Sequence, residues 1–125
     1  MKKINLETIL FILTILFSNV SMSSEKINCT AQYLEFLNDG STISEIMALE
    51  SLESSEYYIQ LSADLRAKNF SLSGDIKQNT FYVSITDLPD YTQGSITTAA
   101  FSNDHRLQLS IVNKNTVYKL ECIKN

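Results

Sequence analysis

The chain closes with YKLECIKN, residues 118–125, and INCTAQY, residues 27–33, lies toward the opposite end. Each stretch holds one of the only two cysteines, Cys29 and Cys122. Apolar and polar residues alternate in both: Ile27, Cys29, Ala31 and Tyr33 against Asn28, Thr30 and Gln32, then Tyr118, Leu120 and Cys122 against Lys119 and Glu121. Period-two alternation marks a strand with one wet face, so both cysteines point inward. In an antiparallel meander with an even number of strands, the first and last run in opposite directions. The start of the first strand then lies at the same end as the finish of the last, which is where Cys29 and Cys122 fall. The expectation is one disulfide between them, whether the two strands pair and close a barrel or face each other across a sandwich. Closing so long a loop is worth about 4 to 5 kcal/mol on the chain-entropy model.

The same alternation returns along the chain. It runs through YYIQLSADL (57–65), NFSLS (69–73), TFYVSIT (80–86), HRLQLSIV (105–112) and TVYKLEC (116–122), and more weakly through SITTAAFS (95–102). Turn signals separate these runs: NDG at 38–40, SGD at 73–75, LPD and QG between 88 and 94, SND at 102–104 and NKN at 113–115. TISEIMALESLES (42–54) is ambiguous. Thr42 with Glu45 offers a helical capping box, and Ile43, Ile46 and Met47 would share a helix face, but Leu49 and Leu52 leave it. Met47 with Leu49 suits an inward strand face instead. Read as a strand, it completes an all-β chain: a single antiparallel meander of about eight short strands forming a small packed barrel or sandwich, its ends joined by the disulfide.

The opening residues, MKKINLETILFILTILFSNVSMSSEK, place two lysines before an apolar run from Ile9 to Phe17 and small residues around Ser18 to Ser24. That order of regions predicts a cleaved signal peptide over 1–23 and a single β-domain over 24–125. The run is far shorter than the roughly 20 apolar residues of a membrane span. Cys29 follows Lys26, Ile27 and Asn28 rather than small apolar residues, so neither a lipid anchor nor any other membrane anchor is expected. Export to a periplasmic or extracellular space agrees with a disulfide. Two cysteines with the single histidine, His105, fall a ligand short of a closed zinc site.

Motifs for catalysis are sparse. His105 sits in a predicted hairpin turn beside Asp104, and neighbours on one strand point to opposite faces, so the pair does not form a general base with its orienting acid. There is no G-x-S-x-G and no phosphate-cradling glycine loop, since the chain has only three glycines. Asp75, Asp87, Asp90 and Asp104 fall in turns, at spacings that do not match an EF-hand. The expectation is no enzyme, no metal and no cofactor.

Charge is unevenly distributed. Between Lys26 and Arg66 there are seven acids, Glu35, Asp39, Glu45, Glu50, Glu53, Glu56 and Asp64, and no base. From Arg66 onward seven bases outnumber five acids, so the processed chain carries about −5 and is not suited to nucleic acid or anionic membranes. The loop DLPDYTQGS (87–95) holds the only proline and presents Tyr91, an aromatic able to serve as a contact or to cap the core.

These features favour a non-catalytic exported binding or structural module, monomeric and acting through its surface. The expected partner is a cationic protein, recognised through Glu45, Glu50, Glu53 and Glu56 or through Tyr91. The alternative is a small-ligand-binding barrel of lipocalin or avidin type, which eight strands could just form. Against it stand bulky inward residues such as Phe70, Leu72, Phe81 and Ile85, which fill such an interior. The inferred architecture is similar to that of the periplasmic lysozyme inhibitors, small exported barrels with a terminal disulfide. The similarity is one of architecture, without a matching signature loop.

Overall fold

The computed structural model describes residues 26–125. The signal peptide expected over 1–23 lies outside them. Nine strands follow in order: β1 (Ile27–Phe36), β2 (Thr42–Ala48), β3 (Glu50–Ser54), β4 (Tyr58–Leu65), β5 (Lys68–Asp75), β6 (Thr80–Asp87), β7 (Gly94–Ala99), β8 (Arg106–Asn113) and β9 (Thr116–Lys124). They form two antiparallel sheets, one ordered β2-β1-β9-β8 and the other β3-β4-β5-β6-β7. The sheets pack as a sandwich. β7 and β8 share no ladder, so the barrel alternative does not form.

The ambiguous segment 42–54 is extended throughout but is not one strand. A single residue, Leu49, separates β2 from β3, and there the chain crosses from one sheet to the other. Leu49 is buried, and its N–H donates to the Cys29 carbonyl at 2.9 Å. A helix over 42–54 would strip β1 and β4 of the partners this segment supplies on both sheets. Counted as one bent run, β2 and β3 restore eight passes, and the parity argument for the chain ends holds. β1 and β9 pair directly, with Cys29 opposite Cys122. Their disulfide joins Cα atoms 4.0 Å apart across 93 positions of sequence.

Alternation assigned the interior well. Phe70, Leu72, Phe81, Val83, Ile85 and Leu120 are all fully buried, so the middle of the space between the sheets is filled by large side chains. Leu109, Ile111 and Tyr118 pack against that cluster while remaining partly exposed. Met47, expected inside with Leu49, is 43% exposed because β2 is an edge strand with nothing beyond it. Phe101, just past β7, also belongs to the interior. It is buried edge-on against Phe81, ring centroids 5.3 Å apart, and Asn79 brackets its backbone through two hydrogen bonds of 2.9 and 3.2 Å.

The SGD turn falls later than expected. Gly74 and Asp75 still belong to β5, and the reversal occupies the residues between Asp75 and Thr80. Gly74 is needed for close approach rather than for turning: a Cβ there would collide with the Thr80 carbonyl oxygen.

Candidate functional site

The outward positions of β3 to β7 form a continuous polar face. Register aligns Glu50, Ser62, Ser71, Ser84 and Ile96 in one row, and Glu53, Gln60, Ser73, Tyr82 and Thr98 in the next. Asp64 and Asn69 flank the first row, in register with Thr86, which is buried, and Tyr58, Asp75 and Thr80 flank the second. The Ser71 and Ser84 hydroxyls lie 2.7 Å apart, and the Asn69 amide donates to Ser62 at 2.8 Å and to Asp64 at 2.9 Å. Glu50, Glu53, Asp64 and Asp75 are the charged groups in these rows, and no lysine or arginine stands among them. Tyr82, 59% exposed, rises from the middle.

Glu50 and Glu53 reach this face together because of a bulge. Three residues apart, they would otherwise point to opposite sides of a strand. The register of β3 on β4 shifts between Ser51 and Glu53, so Leu52 is the extra residue and Glu53 opposes Gln60.

The other two glutamates from the expected cluster lie elsewhere. Glu45 stands opposite Tyr33 and forms a fork with Arg66, whose Nε and Nη2 donate to its two oxygens at 2.8 and 3.3 Å. That guanidinium also lies 4.6 Å from the Tyr33 ring centroid. Tyr33 donates its hydroxyl to Glu35 at 2.6 Å, which, ahead of burial, raises its pKa above the ordinary phenol value. Beside it, Tyr118 packs 5.2 Å away and carries Lys68 over its ring at 4.7 Å, and Lys68 in turn pairs with Asp87. This end of the sandwich is closed by charge-paired side chains, and Glu45 is already committed there.

Glu56 lies at the opposite end, on the rim of a cleft between the sheets. The cleft has a volume of about 900 Å³ and is open to solvent. Ile27, Leu49, Ile59 and Leu61 form its apolar floor, and Lys26, Lys77 and Lys124 stand around it. Sequence reading missed this gathering because the three lysines are far apart along the chain.

Tyr91 occupies the loop between β6 and β7, 55% exposed with a left-handed φ of 58°. It is available for contact instead of capping the core. Its N–H donates to the Asp87 carbonyl at 2.8 Å, and the Leu88–Pro89 peptide beside it is cis.

Of the aspartates expected in turns, Asp87 instead ends β6 and pairs with Lys68, whereas the others, with Asp39, bond within their own turns. Asp39 accepts from the Ser41 backbone at 2.9 Å, Asp75 from the Gln78 backbone at 2.9 Å and Asp90 from the Thr92 hydroxyl at 3.0 Å. Asp104 accepts from the Ser102 hydroxyl, a bond that lowers its pKa below the ordinary carboxylate value.

No family model, curated protein or solved structure matches this chain.

Proposed function

We propose that the chain is a non-catalytic binding module, exported by its N-terminal leader to a periplasmic or extracellular space. It acts as a monomer and engages a cationic protein through the outer face of the five-stranded sheet. The observation that carries this reading is the charge of that face: four carboxylates, Glu50, Glu53, Asp64 and Asp75, with no base among its outward positions. Complementary potentials of this kind steer encounter and suppress partners of like charge. Hydroxyls and carboxamides between the acids supply adaptable hydrogen bonds, and Tyr82 supplies a rigid aromatic contact at low entropic cost. A disulfide suits an oxidising compartment. No helix among the described residues is long and apolar enough to cross a membrane.

The test starts with capture of partners by the oxidised protein from the fluid into which it is exported. The captured protein's affinity should fall with salt and fall further on Glu50→Lys, Glu53→Lys and Asp64→Lys together. A partner indifferent to salt and to the triple reversal, but lost on Tyr91→Ala, would move the site to the loop between β6 and β7.

A further inference from the structure

The cleft at the open end of the sandwich combines two properties that the acidic face lacks. Its floor is apolar: Ile27, Leu49, Ile59 and Leu61 line it, although each is otherwise buried in the core. Its rim is basic. The described residues include eight lysines and arginines, and three of these, Arg66, Lys68 and Arg106, are held in ion pairs. Three of the remaining five, Lys26, Lys77 and Lys124, line this one cleft, against a single carboxylate, Glu56. Such convergence runs against the acidic character of the chain, whose formal charge is −4.

The lysines reach the cleft from both sheets. Lys124 pairs with the buried Ile27 in the β1–β9 register, so it projects from the inner side of its sheet at the mouth. Lys26 adjoins it, its carbonyl accepting from the Asn125 N–H at 2.8 Å. From the opposite sheet, the turn after β5 brings Lys77, with Nζ 5.1 Å from the Tyr57 ring centroid. A volume of about 900 Å³ falls within the range of small-molecule sites, roughly 300 to 1,000 Å³.

We propose that this cleft binds a single-chain amphipathic anion, its alkyl chain laid on Ile27, Leu49, Ile59 and Leu61 and its phosphate or carboxylate head held among the three lysines. The chain gains from leaving water, and the head is matched by cations that have no carboxylate partner in an ion pair among the described residues. The site is separate from the acidic face and does not depend on it.

The test titrates the oxidised, exported protein with dodecyl phosphate below its micelle concentration, by calorimetry and by methyl NMR. Saturable one-to-one binding is expected, with shifts at Leu49, Ile59 and Ile76 and none at Val112. Decyl phosphate should bind more weakly by about fourfold for each methylene removed. Lys77→Ala with Lys124→Ala should weaken binding about tenfold while leaving the methyl spectrum of the free protein that of a folded chain. Dodecanoate should compete. The proposal is overturned if dodecyltrimethylammonium binds as tightly as dodecyl phosphate, if the double variant binds unchanged, or if the shifts map outside the cleft. It is equally overturned if the protein sediments with phosphatidylglycerol vesicles yet ignores the monomeric amphiphile.

Discussion

Cys29 and Cys122 are register partners on adjacent strands, both buried, one near the start of β1 and the other near the end of β9. The bond between them therefore reinforces a ladder that backbone pairing already holds. Replacing both by serine should lower stability by about 2 to 5 kcal/mol in urea unfolding. Far-ultraviolet dichroism at zero denaturant should stay β-rich, and thiol labelling of the native wild-type protein should find neither cysteine. Labelling of both would refute the clasp.

The tip of the β4–β5 hairpin is formed by Arg66 and Ala67, with φ of 54° and 60°. Left-handed backbone is costly for a residue with a Cβ, by roughly 1 to 2 kcal/mol. Ala67 has no long side chain with which to recover that cost, whereas Arg66 holds Glu45 and Tyr33. Ala67→Gly should therefore stabilise the protein by up to about 1 kcal/mol, with unfolding rates as the readout. Arg66→Gly should not.

Charge reversal should separate the glutamates that sequence groups together. Glu45→Lys would place a second cation beside Arg66 and should lower the unfolding midpoint, modestly because both partners are 41% exposed. Glu50→Lys and Glu53→Lys meet no base on their face and should change the unfolding midpoint little. An equal loss at all three positions would contradict the assignment of Glu45 to the closed end.

Acid should weaken the fold through Glu121. The Gln108 amide donates to it at 3.0 Å, and with Lys119 and Arg106 nearby its carboxyl is held below the ordinary carboxylate range. A folded-state pKa below the unfolded one contributes stability that is present above the unfolded value and is lost as pH falls through the folded one. The loss belongs below about pH 4. Gln108→Ala should raise the Glu121 pKa measured by carboxyl NMR and reduce the slope of stability against pH in that range. Tyr33 acts at the other extreme: its pKa is raised, so its contribution is present below the unfolded value and is lost as pH rises through the folded one, a component that Tyr33→Phe should remove.

Much of the interior was legible because alternation is a direct imprint of the pleat. The inward faces of β1, β4, β5, β6 and β9 follow from it residue by residue. The chain's change of sheet was not legible, since Leu49 is neither glycine nor proline and the crossing depends on β1 and β4 both needing partners. The Arg66–Ala67 reversal likewise lacks any residue that favours left-handed backbone. For the acidic face, sequence supplied the base-free stretch but grouped its members by proximity. A bulge at Leu52 and the register of five strands decide instead that Glu50 and Glu53 stand with Asp64 and Asp75. The basic cleft was hidden for the same reason, because its lysines meet only after folding.

The open seam between β7 and β8 bears on how the chain folds. Among the described strands, every ladder except β1–β9 joins strands that are neighbours in sequence. The entropy of closing distant loops is thus concentrated in one pairing, and that pairing sets most of the contact order on which folding speed depends. A circular permutant joined from residue 125 to residue 26 and opened between β7 and β8 would contain only local hairpins and the bend at Leu49. It would begin at β8, end at β7, and should reach the same sandwich faster than the natural order of strands.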